Sequence, residues 1–255
     1  MLRWTYHRVI ILFINNLLKS IYKVKSERRQ IEFTGAFRLL ALLLGLCGAG
    51  LPALADDNLN PNGATFRDFA IADNGASFTR IVDSMTMGGA TAVDQKQAKV
   101  IAIEANNSLA RIRFDSVKVQ LALPLGWQAG EDWERGVAYS ADKSFRLVVW
   151  RVDFAYEGVL DAEHYAETKT GSIKARRSTI QAQARRLGDG TFLNVYENVP
   201  PGPGDKEPRS VLDLLIPRGP GAKDAVLLTL GMPASQGARG LKLLSLIKSQ
   251  MKIDW

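Results

Sequence analysis

Residues 117–127 read Val-Lys-Val-Gln-Leu-Ala-Leu-Pro-Leu-Gly-Trp. Every second residue of the first seven is apolar, and this period of two predicts a strand with one buried face. Pro124 should end the strand, because its ring fixes φ and leaves no N–H to donate. Gly126 then allows a turn, and Trp127 should return a large apolar side chain to the core. We expect this stretch to begin the sheet that the later strands complete.

The segments around this stretch predict an α+β fold with a largely antiparallel sheet covered by helices. Residues 77–87 fit either a helix or a short strand. Asp161 is a good N-cap for a helix over residues 162–175, and Ser235 should cap a final helix. The remaining strands are predicted at 99–103, 108–114, 136–140, 144–154, 179–187, 191–198, 210–217 and 224–232.

Residues 37–55 have the pattern of a secretory signal peptide. Arg38 precedes a short apolar run, and Ala53 and Ala55 supply the small residues of an A-x-A cleavage site before Asp56. We therefore expect a mature chain that starts at Asp56 and is periplasmic or secreted. The alternative is an uncleaved leader that anchors the protein in the inner membrane, although the apolar run is shorter than the about 20 residues that a span needs.

The segment before this signal is unusually long. Residues 9–18 are apolar and residues 19–29 are basic, a pattern that also fits an amphipathic helix on a membrane surface. We favour the interpretation that residues 1–36 are upstream sequence read from too early a start. The single cysteine, Cys47, follows the bulky Leu46 rather than a small residue, which argues against a lipoprotein.

The positive charge is confined to the leader. The formal net charge is +7, and residues 1–55 carry eight basic and two acidic side chains, so they account for +6 of it. The rest of the chain is nearly balanced and has no long run of one sign. A nucleic-acid-binding domain needs a basic surface, so we expect no nucleic-acid partner.

The chain is predicted to comprise three parts. Residues 1–55 form the leader, and residues 56–76, rich in Asp, Asn and Gly, form a flexible mature N-terminus. Residues 77–255 form one α+β domain, a size at which a cysteine-free core is sufficient for stability.

The element order resembles the PsbP-like fold, an α/β/α sandwich shared by the extrinsic protein of photosystem II, a Ran-binding nuclear-import protein and bacterial envelope proteins of the DcrB type. The resemblance covers about residues 117–255. It is carried by the turn at 123–127, the helix that Asp161 caps, the hairpin at 188–190 and the final helix. It implies an accessory or binding role and no particular activity.

Few residues suggest catalysis. His164 is the only histidine after the leader, and on a helical turn it is expected to be a surface residue rather than a base. Three acids, Glu131, Asp132 and Glu134, surround Trp133, and such a group could serve a carbohydrate-active hydrolase. No motif for a metal or cofactor is present, so we expect none.

We therefore predict an exported, non-catalytic binding or accessory protein of the bacterial cell envelope. Its partner would be an envelope protein or a small ligand, and it would meet the membrane only through an uncleaved leader. The hydrolase that uses the acidic loop is the alternative, with Trp133, Glu131 and Glu134 as its candidate ligand-binding residues.

Overall fold

The structure is a computed structural model that describes residues 59–71, 80–81, 96–202 and 204–255. The chain divides into two compact units, Met1–Ala49 and Gly50–Trp255, and every described residue lies in the second. The signal-peptide and leader predictions lie outside the described residues, as do most of residues 77–87.

The described part of the domain contains thirteen strands and two α-helices. The strands are β1 (Arg80–Ile81), β2 (Lys96–Gln97), β3 (Lys99–Glu104), β4 (Leu109–Phe114), β5 (Val119–Pro124), β6 (Gln128–Glu131), β7 (Arg135–Tyr139), β8 (Arg146–Asp153), β9 (Gln181–Arg186), β10 (Phe192–Val199), β11 (Arg209–Pro217), β12 (Asp224–Pro233) and β13 (Lys252–Ile253). The helices are α1 (Ala162–Arg176) and α2 (Gly237–Ser249).

Nine strands form a large sheet, in the order β1-β6-β7-β8-β12-β11-β10-β9 with β2 also paired to β6. The β1–β6 pair is parallel, and every other pair in this sheet is antiparallel. A smaller sheet has the order β13-β5-β4-β3. The predicted α+β class with largely antiparallel sheets is confirmed.

The opening stretch lies in the small sheet, so the expectation that it begins the main sheet is wrong. Its strand, β5, pairs with β4 and β13, whereas β6 to β12 all belong to the large sheet. The switch follows from the turn after Pro124, where Gly126 has φ +84°. Trp127 is fully buried as predicted, and its ring stacks on Phe145 at 6.2 Å between centroids.

The segment expected to be a flexible N-terminus packs on the domain over residues 59–71. Phe66 and Phe69 are buried in the main core, and the N–H of Ile71 donates to the carbonyl of Leu125 at 3.2 Å. Two phenylalanines within four residues bury enough apolar area to order a segment that is otherwise polar.

The first helix starts as predicted and the second does not. The Asp161 carboxylate accepts a hydrogen bond from the N–H of His164 at 2.9 Å, which caps α1. Ser235 instead lies in a 3₁₀ turn before α2, and its hydroxyl donates to the Glu207 carboxylate at 2.8 Å. Because Glu207 takes this hydroxyl, α2 begins at Gly237 without a side-chain cap.

The two helices cover opposite faces of the large sheet. Along β12, Leu228 and Leu230 share a core cluster with the apolar face of α2 and with the small sheet. The alternate residue Leu227 shares a different cluster with Ala162 and Ala166 of α1. Since side chains alternate along a strand, the α1 face and the α2 face of the sheet are separate environments.

Candidate functional site

The acidic loop predicted as a ligand site connects β6 to β7. The carboxylate of Glu131 is buried and accepts hydrogen bonds from the N–H and the hydroxyl of Ser116, at 2.8 and 2.7 Å. Asp132 is also buried, and its carboxylate accepts from the N–H groups of Glu134 and Arg135 at 2.8 and 2.9 Å. Glu131 therefore ties the loop to the turn before β5, and Asp132 stabilises the loop itself.

The other two residues of this loop point into solvent. Trp133 is 65 % exposed, and Glu134 is exposed beside it. The structure thus separates the candidate residues into a buried pair and an exposed pair. His164 is exposed at the start of α1, where its backbone N–H serves the helix cap. The hydrolase alternative stays a prediction.

A row of polar side chains crosses the α1 face of the large sheet. Thr229 of β12 is the register neighbour of Asp213 of β11, and Asp213 is the register neighbour of Asn194 of β10. The residues on either side of them along each strand belong to the apolar α2 face. This polar row lies in the middle of the sheet, where strands normally carry apolar side chains on both faces.

Small residues of α1 allow the helix to lie close to this row. Ala162, Ala166 and Thr170 are buried and spaced by four, so they share one side of the helix. The side-chain amide of Asn194 donates to the carbonyl of Ala166 at 3.3 Å. The Thr170 hydroxyl donates to the same carbonyl at 2.7 Å.

A carboxylate and an ammonium group meet at the centre of the row. Asp213 is 2 % exposed and accepts from the Thr229 hydroxyl at 2.5 Å, and Lys169 of α1 lies 2.9 Å from it. Burial lowers the pKa of Lys169, but the charge and hydrogen bond of Asp213, together with Tyr165 and Glu157, more than offset this, so the pKa is raised overall. Lys169 therefore keeps its positive charge at neutral pH.

Tyr196 of β10 borders this pair as a neutral phenol. Burial, with the charge of Asp213 as a second cause, raises the pKa of Tyr196 far above its usual range. The Tyr196 hydroxyl accepts from the amide of Asn194 at 3.2 Å. A neutral tyrosine and a charged lysine thus flank the same buried carboxylate.

A cavity of about 400 Å³ opens beside this pair, between the C-terminal half of α1 and the sheet. We call it the helix groove. Its lining comprises Lys169, Ile173, Arg176, Arg177, Ile180, Tyr196, Val199, Val211, Asp213 and Thr229. Four of these residues are aliphatic and form its wall. The groove opens at the point along α1 where the small buried residues end and Ile173 follows, whose side chain is only half-buried.

The mouth of the groove is basic. Arg176 and Arg177, at the end of α1, are exposed, and neither forms an ion pair with another described residue. Their position also suits the negative end of the helix dipole. Together with Lys169 they place three positive charges around the groove, whereas its lining contains one carboxylate, that of Asp213. This carboxylate already interacts with Lys169 and Thr229.

A larger cavity, of about 570 Å³, lies at one end of the large sheet near the 187–191 hairpin and the 217–222 loop. Three of the six charged side chains that line it form ion pairs. Lys248 forms an ion pair with Asp189, and Arg218 forms one with Asp224 at 2.6 Å. The helix groove is the stronger candidate, because it combines an apolar wall with convergent charges.

The described part of the chain contains neither a cluster of metal ligands nor a membrane-spanning helix. There, no three His, Cys, Asp or Glu side chains lie close enough together to hold a metal ion. None of the described helices has the length and apolar character to cross a membrane.

Lys169, Asp213 and the aliphatic wall of the groove were not singled out from the sequence. The sequence feature that could have indicated this site is Asp213, an acid inside the apolar run Val-Leu-Asp-Leu-Leu of residues 211–215. A charge in such a run indicates a buried ion pair or a site. The identity of its partner, Lys169, depends on how α1 lies across the sheet.

Comparison with known proteins gives similarity in structure only. No family model matches the sequence, and no curated protein matches it. The chain is similar to the Ran-binding protein Mog1p of Saccharomyces cerevisiae, with 12 % identity, a TM-score of 0.42, and coverage of 57 % of this chain and 95 % of that one. It is also similar to cyanobacterial PsbP (CyanoP) of Synechocystis, with 14 % identity, a TM-score of 0.39, and coverage of 60 % and 95 %.

Proposed function

We propose that this protein is an exported, non-catalytic binding protein of the bacterial cell envelope, and that it binds a small ligand in the helix groove. One observation carries the proposal. The Lys169–Asp213 pair lies at the base of a groove that has an aliphatic wall and a basic mouth. A concave apolar site with a few convergent polar groups is the usual form of a small-molecule site.

The chemistry of the groove favours binding over reaction. Lys169 is held in its charged form by Asp213, so it is a poor nucleophile. Burial, and secondly the charge of Asp213, raises the pKa of Tyr196, so its phenol stays protonated and offers no base at neutral pH. These groups are suited to orient a ligand by charge and hydrogen bonds.

Export and family are part of the same proposal. The A-x-A pattern at Ala53 and Ala55 supports cleavage before Asp56 and a periplasmic or secreted location. A PsbP-like sandwich is supported by the layers, with α1 on one face of the large sheet and α2 with the small sheet on the other.

Native mass spectrometry of the protein isolated from its own cell envelope tests this function. We expect a chain that begins at Asp56 and carries a bound small molecule that denaturation releases. The variant Val211→Phe should lose the bound molecule, because the larger side chain fills the groove. The matched variant Ile101→Phe, at a strand position that is half exposed and outside the groove, should keep it.

Two results would contradict the proposal. A chain that begins at Met1 would remove the claim that the leader is cleaved. A bound molecule that survives in Val211→Phe, or its absence from the wild type, would remove the groove as the binding site.

A further inference from the structure

We propose that the ligand of the helix groove is a single-chain amphipathic anion, an aliphatic tail that ends in a carboxylate or phosphate group. This inference rests on the proposed function, since it names the class of molecule for the same site. It follows from three features of the groove: its wall, its mouth and its size.

The wall suits an aliphatic tail. Ile173 of α1, Ile180 before β9, Val199 of β10 and Val211 of β11 come from four different segments and line one cavity. Ile180 is buried and the other three are half-buried, so part of their apolar surface faces the groove. Covering this surface with a tail gains about 25 cal/mol for each Å² removed from water.

The mouth suits an anionic head. Arg176 and Arg177 present guanidinium groups that recognise planar carboxylates and phosphates, often through two hydrogen bonds. Lys169 has ammonium donors beyond the one that meets Asp213. Because Asp213 is buried behind Lys169 and bonded to Thr229, a cationic head would meet three like charges at the entrance.

The size of the groove favours one chain. A cavity of about 400 Å³ lies near the lower end of the range for small-molecule sites. A two-chain membrane phospholipid exceeds this space, so we expect the source to be a soluble single-chain anion rather than a bilayer lipid.

Calorimetric titration with four probes of equal chain length tests the head group. Octanoate and octyl phosphate should bind the full mature domain. Octanol should bind with an affinity at least about tenfold lower, and octylammonium should show no binding. Flotation with phosphatidylglycerol vesicles tests whether the protein binds a bilayer lipid instead. We expect that the protein does not float with the vesicles.

Variants locate the binding. Arg176→Gln with Arg177→Gln should weaken octanoate about tenfold and leave octanol unchanged. Lys174→Gln with Lys252→Gln removes the same charge from exposed positions outside the groove and should leave both unchanged. Val211→Phe should abolish both.

The outcomes separate this inference from the proposed function. Equal affinity for octanol and octanoate, stronger binding of octylammonium, or co-flotation with vesicles would overturn the ligand class. If none of the probes binds while the native protein carries a molecule that Val211→Phe loses, the ligand class is wrong and the groove is still the binding site.

Discussion

The two faces of the large sheet are built from the same strands and differ in chemistry. On the α2 face, Leu212, Leu214 and Leu228 are fully buried among other aliphatic side chains. On the α1 face, the residues between them include Asp213 and Thr229, and a groove lies above. Alternate residues of one strand therefore face two chemically different environments.

Covering a sheet with a row of polar side chains costs folding free energy. A buried ion pair contributes little net stability, because desolvation of both charges offsets their attraction. The Oδ1 atom of Asn194 is buried and has no hydrogen-bond partner among the described residues, at a cost of about 1–3 kcal/mol. The contrast teaches that the α2 face supplies the stability and that the α1 face retains polar groups for another purpose, which we propose is binding.

Truncation on the α2 face should have the largest effect. Leu228→Ala removes a fully buried side chain and should lower the free energy of unfolding by about 2–5 kcal/mol. Urea denaturation measures this change. Ile101→Ala, on the edge strand β3 and half exposed, is the control and should cost less than about 1 kcal/mol. An equal cost at both positions would contradict the assignment of the core.

Removal of the buried carboxylate should have a smaller effect. Asp213→Ala leaves the Thr229 hydroxyl without its acceptor, whereas Lys169 can gain water because its side chain is 29 % exposed. We expect a loss of about 1–3 kcal/mol by the same urea method. Asp224→Ala, which breaks partly exposed pairs with Arg218 and Arg151, should cost at most about 1 kcal/mol. A loss as large as that of Leu228→Ala would mean that the polar row carries the fold.

The contribution of Lys169 should depend on pH only at high pH. Its pKa is raised in the folded state above the ordinary value of 10.5, so its stabilisation is complete below that value and is lost as pH rises through the folded pKa. The difference in unfolding free energy between wild type and Lys169→Met should stay constant at neutral pH and shrink in strong alkali. Asp213, Tyr165 and Glu157 act on this ammonium, so both proteins must be titrated in parallel. A difference that shrinks below pH 10.5 would contradict the raised pKa.

The mouth should contribute least to stability. Arg176→Gln with Arg177→Gln changes exposed side chains without ion pairs to other described residues, so the unfolding free energy should change by less than about 0.5 kcal/mol. Thermal denaturation checks this. A large loss would show that the arginines hold the end of α1 rather than a ligand.

Local signals in the sequence predicted local structure well. Asp161 caps α1 as predicted. The apolar residues change parity between Phe114 and Val117, and the turn after β4 absorbs this change. Ser235 was misassigned because its true partner, Glu207, lies in a distant loop. The division into two sheets depends on pairing partners rather than on the apolar pattern of any one strand.

The candidate site was less predictable for the same reason. Asp213 becomes a site residue only when register places it between Thr229 and Asn194, and when α1 carries Lys169 over it. These relations join segments far apart in the chain. The residues of the acidic loop, by contrast, are contiguous in the sequence, and for this reason the ligand site was predicted there.

One measurement tests the contrast between the two faces most directly. The triple variant Lys169→Met, Asp213→Leu, Thr229→Val replaces two of the three side chains of the polar row, and the lysine that pairs with Asp213, by apolar side chains. We predict that its unfolding free energy will equal or exceed that of the wild type, while its affinity for octanoate falls about tenfold. A variant that fails to fold, or one that binds octanoate as tightly as the wild type, would contradict the assignment of the polar row to binding.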